Sequence, residues 1–197
     1  MPKRCGDYYY ARTGVQTTVT ADNSAANSSV LVGLGSNQGE SVELVVQALE
    51  RLEEFAEGEV LASSLWRTSP VNCPPGSGDF INAAAAFQPR VGLTPEMLLQ
   101  SLKALEREYG RAEVYERNAP RELDLDLLLF GREVRDTEEF TLPHPRAVDR
   151  LFVLAPAAEV LPDALWPGSG RSIAALLAQL DSDETVQQLS PAGQLQS

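Results

Sequence analysis

Residues 123–130 read Leu-Asp-Leu-Asp-Leu-Leu-Leu-Phe. The alternation at the start of this run suits a β-strand, because residues two apart on a strand point to the same face. Asp124 and Asp126 therefore project together, with Leu123, Leu125 and Leu127 on the opposite face. Two neighbouring carboxylates repel one another and favour a cation between them. Hard oxygen donors suit Mg2+, which usually takes one or two carboxylates together with substrate phosphates. Arg111, Arg117 and Arg121 lie just upstream, and guanidinium forks match phosphate oxygens. The segment points to a metal–polyphosphate site. On spacing alone the acids equally fit a half-exposed strand with solvated carboxylates. The arginines, taken alone, fit surface ion pairs with Glu113, Glu116 and Glu122, which contribute little.

The rest of the chain supplies elements for that strand to join. Residues 30–35 form a short apolar strand that ends at glycines. Val42, Val45, Val46, Leu49 and Leu52 recur at helical spacing over 40–55, which predicts a helix. Residues 59–67 read as a strand, 71–79 as a loop rich in Pro and Gly, and 80–87 as a third strand weakened by alanines. Thr94-Pro95 opens a helix with a capping hydroxyl and Pro at its first position. Leu98, Leu102, Leu105 and Tyr109 form its apolar stripe, and Gly110 ends it. The order is β-α-β-β-α-β. The expectation is an α/β (α+β) protein with a ferredoxin-like core: a mainly antiparallel sheet with both helices on one face. Residues 142–180 add a Pro-punctuated segment and a final helix over 172–180. Residues 1–29 and 181–197 lack periodicity and are expected as tails, leaving one domain over 30–180.

A length of 197 residues suffices for one sizeable core. The net charge of −12 argues against a nucleic-acid partner. The two cysteines, Cys5 and Cys73, make a disulfide framework an unsuitable reading. No apolar run approaches the ~18 residues of a membrane span, and the first residues lack the apolar stretch of a signal peptide. A cytoplasmic monomer with no membrane partner is expected.

Other residues bear on chemistry. Gly-Leu-Gly-Ser-Asn-Gln-Gly at 33–39 joins the first strand to the first helix. It matches neither the Walker A nor the dinucleotide glycine spacing, and a tight turn capped by Asn37 or Ser41 explains it. His144 is the single histidine, held between Pro143 and Pro145, and it reads as a structural hydrogen-bonding group or as a site residue. Phe80 and Asn82 share a strand face, so an aromatic plane lies beside an amide. That pair suits a flat heterocycle, although core packing explains Phe80 taken alone. No Ser-His-Asp or Cys-His set suggests covalent catalysis.

Together these segments resemble the 6-hydroxymethyl-7,8-dihydropterin pyrophosphokinase family of folate biosynthesis. The matching stretches are Leu-Gly-Ser-Asn at 34–37, Ser-Leu-Trp-Arg-Thr-Ser-Pro at 64–70, Asp-Phe-Ile-Asn at 79–82 and residues 106–111. Pro-Arg-Glu-Leu-Asp-Leu-Asp at 120–126, Leu-Pro-His-Pro-Arg at 142–146 and Arg-Leu-Phe-Val-Leu at 150–154 follow in the family's order. The resemblance implies transfer of a diphosphoryl group from ATP to the hydroxymethyl oxygen of a reduced pterin, with release of AMP. It implies that Asp124 and Asp126 hold two Mg2+ ions and that Arg111 and Arg121 act with them on the phosphates. Glu106, His144 and Arg150 are then further ATP-site residues. Phe80 and Phe152 would sandwich the pterin, Asn82 would meet its polar edge, and Thr68, Pro70 and Val71 would read the rest through backbone groups. Gly35 would lie close to that pocket, and residues 70–79 and 111–121 would be lids.

This chain departs from many relatives at 118–119, where Asn-Ala replaces Trp-Gly before the Pro-Arg pair. Glu113 stands where some relatives carry a basic residue. The rival reading from another class is a non-catalytic nucleotide- or pterin-binding regulatory module on the same fold.

Overall fold

The computed structural model of the chain describes residues 26–70, 78–110 and 122–189. Strand β1 (Val30–Ser36) is an interior strand of an antiparallel sheet. On one side it pairs with β4 (Phe80–Phe87) and on the other with β5 (Asp124–Phe130). Beyond β4 come β2 (Leu61–Ala62) and β3 (Trp66–Thr68). The outer edge beside β3 is β8 (Val186–Gln188). A small hairpin of β6 (Arg135–Asp136) and β7 (Thr141–Leu142) stands apart.

Alternation along β1 divides the core. Val30, Val32 and Leu34 meet Val45, Ala48 and Leu49 of helix α1 (Ser41–Arg51) and Leu98, Leu102 and Leu105 of α2 (Pro95–Glu108). Both helices thus cover one face. Helix α2 starts as its sequence dictates: the Thr94 hydroxyl accepts the Met97 amide at 3.3 Å, with Pro95 in the first turn. On the opposite face Leu31, Ala84 and Ala86 pack against Leu154 and Ala157 of α3 (Leu151–Val160) and Ile173 and Leu176 of α4 (Ile173–Gln179). Burial on both faces accounts for the near-continuous apolar run of β5.

One irregularity matters for the site. Val32 pairs with Leu127 but Leu31 pairs with Leu129, so Leu128 is an extra residue on β5. This β-bulge puts Leu128 and Leu129 on the same side of the sheet, beneath α3. The Leu128 carbonyl accepts the His144 backbone amide at 3.1 Å.

Three regions differ from the sequence expectation. The strand expected over 59–67 is interrupted between β2 and β3, where the Ser63 hydroxyl accepts the Ala84 amide at 2.9 Å and donates to the Ser64 carbonyl at 2.7 Å. Helix α3 forms around Pro156 in the segment read only as Pro-punctuated. Burial of Val153 through Ala157 outweighs the hydrogen bond that Pro removes. Folded chain also extends past both expected tail boundaries. Asn27 accepts the Leu165 amide through its side chain at 3.2 Å, Ser29 is buried, and β8 follows residue 180. Polar side chains and edge-strand pairing hold these segments, so no apolar periodicity announced them.

Candidate functional site

Strand register brings six of the expected site residues onto the α3 side of the sheet. Gly35 pairs with Asn82 on one side and Asp124 on the other. Gly33 likewise stands between Ala84 and Asp126. Trp66 faces Asn82, and Thr68 faces Phe80. Because alternate residues share a face, Thr68, Phe80, Asn82, Gly35, Asp124 and Asp126 line one surface across β3, β4, β1 and β5.

Close approach leaves little room for a side chain at the centre of that surface. A Cβ on Gly35 would lie 3.0 Å from the Asn82 side-chain oxygen, and one on Gly33 would lie 3.3 Å from a Leu128 methyl. Asn82 is itself fixed: its amide nitrogen donates to the Thr68 hydroxyl at 2.8 Å, with both residues buried. Its carbonyl oxygen is thereby turned toward Gly35. Phe80 is half-buried at the start of β4.

Asp124 and Asp126 are half-buried and project from β5 on this side. Between them, the Leu125 amide donates to the Glu106 carboxylate at 2.8 Å. Glu106, which the resemblance assigns to the ATP site, is 2% exposed and ties α2 to β5 at the position between the two aspartates. It thereby fixes the strand that presents them. Among the described residues no cluster of three or more His, Cys, Asp or Glu surrounds a metal position.

His144 and Arg150, before and at the start of α3, lie within electrostatic reach of both acids, with Arg146 beside them. Burial pushes the His144 imidazole below its ordinary pKa; Arg150 and Arg146 add to this, while Asp126 and Asp124 oppose it. His144 Nδ1 accepts the Arg146 amide at 3.4 Å, which places the proton of the neutral ring on Nε2. Arg150 is half-buried, and burial first, then Arg146, draws its pKa down against Asp126, Glu184 and Asp124. An arginine keeps its charge regardless. Its guanidinium carbon lies 5.4 Å from the centre of the Phe152 ring, within cation–π range.

Two contributors carried no local signal in the sequence. The Glu184 carboxylate, in the segment expected as a tail, accepts the amides of Leu151 at 2.7 Å and Phe152 at 3.2 Å. Glu159 on α3 accepts the Ser64 amide at 2.9 Å and the Trp66 indole N–H at 2.6 Å, fixing β3 beside the site. Arg146 ends the Leu-Pro-His-Pro-Arg stretch, and its charge acts on both His144 and Arg150. Pro70 closes the described segment after β3. Val71, Arg111, Arg117 and Arg121, and most of both lid stretches, lie outside the described residues. Asn118 and Glu113 do as well.

The arrangement combines a carboxylate pair, a cationic and imidazole flank, and an amide–aromatic platform. Such a site suits a metal-bound polyphosphate next to a planar acceptor. A family model described as 7,8-dihydro-6-hydroxymethylpterin-pyrophosphokinase (HPPK) matches residues 31–162. The 2-amino-4-hydroxy-6-hydroxymethyldihydropteridine pyrophosphokinase of Synechocystis sp. is 40% identical over 151 residues, covering 77% of this chain and 75% of that one. The protein of the same name from Pseudomonas aeruginosa is 39% identical over 150 residues, covering 76% and 90%. Among solved structures, wild-type HPPK-DHPS of Plasmodium falciparum superimposes with a TM-score of 0.59 at 12% identity. That match covers 77% of this chain but only 44% of the larger one, and it speaks to the fold.

Proposed function

The chain belongs to the 7,8-dihydro-6-hydroxymethylpterin-pyrophosphokinase family, and from that premise we propose how its site works. The substrates are ATP and 6-hydroxymethyl-7,8-dihydropterin; the products are AMP and the pterin diphosphate. The observation that carries the reading is the register that sets Asn82, Gly35 and Asp124 side by side, with Asp126 next along β5. The sheet order, with β4 between β1 and β3, supports a ferredoxin-like βαββαβ core carrying C-terminal additions.

Phe80 and Phe152 stack on the two faces of the pterin. The Asn82 carbonyl oxygen, aimed by Thr68, accepts a hydrogen bond from the pterin's polar edge. Backbone groups near Thr68, Pro70 and Val71 complete that edge, and Gly35 leaves room beneath the ring. Asp124 and Asp126 offer hard oxygen donors from one strand face, in the number that Mg2+ usually takes from protein when phosphates and waters complete its shell. They would hold two Mg2+ ions, whose charge would neutralise phosphate oxygens near the β-phosphorus. Arg111, Arg121 and Arg150 hold phosphate oxygens. His144, kept neutral by burial, donates from Nε2 toward the nucleotide, and Glu106 steadies β5 behind the acids.

The pterin hydroxymethyl oxygen bonds to the β-phosphorus while the bond to the α,β-bridging oxygen breaks, and AMP departs. Of the two acids, Asp124 is nearer the platform because it pairs with Gly35 beside Asn82. It is the carboxylate placed to orient that hydroxyl and take its proton. Catalysis here consists of positioning and electrostatics.

The test is incubation of the purified chain with ATP, Mg2+ and the hydroxymethyl dihydropterin. Release of AMP with the pterin diphosphate is expected. Formation of ADP only, or no turnover by folded protein, sinks the proposal.

A further inference from the structure

We propose that Glu184 is a positioning residue that holds Arg150 and Phe152 at the site by capping the first turn of α3. The inference rests on the pterin-kinase reading above and adds to it a residue from the C-terminal segment.

The first turn of a helix leaves amide hydrogens without partners inside the helix. Arg150, at the N-cap, has extended backbone (φ −125°, ψ 116°) and makes no capping hydrogen bond with its side chain. One oxygen of Glu184 accepts instead from Leu151 and Phe152, the residues that begin the helix. A carboxylate there also complements the positive end of the helix dipole. The same charge lies close enough to Arg150 to favour its cationic form, alongside Asp126 and Asp124.

Glu184 reaches this place through long-range pairing. Val186, two residues on, pairs with Thr68 in the β3–β8 ladder, and the Glu184 amide donates to the Ser182 hydroxyl at 3.2 Å. Thr68 in turn fixes Asn82. One short segment therefore joins two walls of the proposed pterin pocket, the Asn82 wall on the sheet and the Phe152 wall on α3. Loss of the cap frees the turn that carries the Phe152 ring and the Arg150 guanidinium. The pterin should lose affinity before the chemical step suffers.

The experiment compares Glu184→Ala and Glu184→Gln in the full chain. It measures pterin affinity by fluorescence titration, steady-state AMP release, and amide hydrogen exchange in the first turn of α3. Removing a capping acceptor typically matters at the level of about a tenfold change in an equilibrium. In E184A the KM for pterin should rise about tenfold, with kcat changed less than about threefold, and the turn should exchange faster. In E184Q the amide oxygen still accepts both N–H groups, so pterin affinity should return to within about threefold of the parent. Parent-like KM and exchange in E184A overturn the inference, as does an equal loss in E184Q. If E184A does not fold, Glu184→Asp carries the test, since its shorter side chain withdraws the oxygen; a raised pterin KM at near-parent kcat is expected, and a parent-like KM overturns the inference. A parent chain that releases no AMP defeats the kinase reading instead, and the exchange measurement still decides the cap.

Discussion

Leu31 and Gly35 lie four residues apart on β1 and face the same side of the sheet, yet their rows differ in kind. Leu31 stands between Ala86 and Leu129, all nearly fully buried beneath α3 and α4. Gly35 stands between Asn82 and Asp124, with Phe80 and Thr68 beyond. The strands and their hydrogen bonding continue from one row to the other. What changes is the cover: helices seal the first row, while Arg150 at the start of α3 lies within electrostatic reach of Asp124 in the second. A sheet can thus build a rigid foundation and a polar site from the same strands, provided each polar side chain at the site is held. Thr68 does this for Asn82, and Glu106 for the backbone between the acids.

The largest effect is expected at the acids. Asp126→Ala should lower kcat by about 10³-fold while leaving the fold intact, the scale seen when a charge-stabilising group is removed. AMP release together with circular dichroism checks this, and near-parent turnover defeats the metal-ligand role. The covered half should respond in the opposite sense. Leu154→Ala, at a fully buried position, should cost about 2–5 kcal/mol of stability while the fraction that remains folded keeps its kcat/KM. Urea unfolding and activity at a permissive temperature measure both.

Gly35→Ala probes the boundary between the two halves. Its methyl would press on the Asn82 oxygen at 3.0 Å, so pterin KM should rise by about tenfold, about 1.4 kcal/mol, with little change in unfolding temperature. An unchanged KM shows that Asn82 does not need its present position.

The smallest effect is a pH dependence. Burial lowers the folded-state pKa of His144, whereas the unfolded chain titrates near the ordinary value of about 6.5. The neutral ring's contribution to stability is present above that value and is lost as pH falls through the lowered folded pKa. In metal-free protein, moving from pH 7.5 to 5.5 should destabilise the parent more than His144→Asn. Equal losses by denaturant titration refute this.

Much of the foundation was legible because its signals are local. The Thr94-Pro95 start of α2 follows from a cap, and the shared face of Asp124 and Asp126 from period-two alternation. The interruption at Ser63, helix α3 around Pro156 and strand β8 were not legible. Each depends on a distant partner: Ser63 on Ala84, α3 on the sheet, β8 on β3. Glu184 and Glu159 were missed for the same reason, since an acid in a polar run or on a helix names no partner.

Local pattern alone puts two carboxylates on one strand face, an amide and an aromatic ring on another, and the matching segments in a family's order. Backbone alternation and capping act over a few residues, so those facts need no fold. Which faces coincide depends on contacts between segments far apart in the chain. On alternation alone Leu129 would lie opposite Asp124, but the extra residue Leu128 turns it to the same side, beneath α3. That choice, and the register that sets Gly35 between Asn82 and Asp124, follow from packing both sheet faces at once, a constraint that exists only when the whole chain has folded.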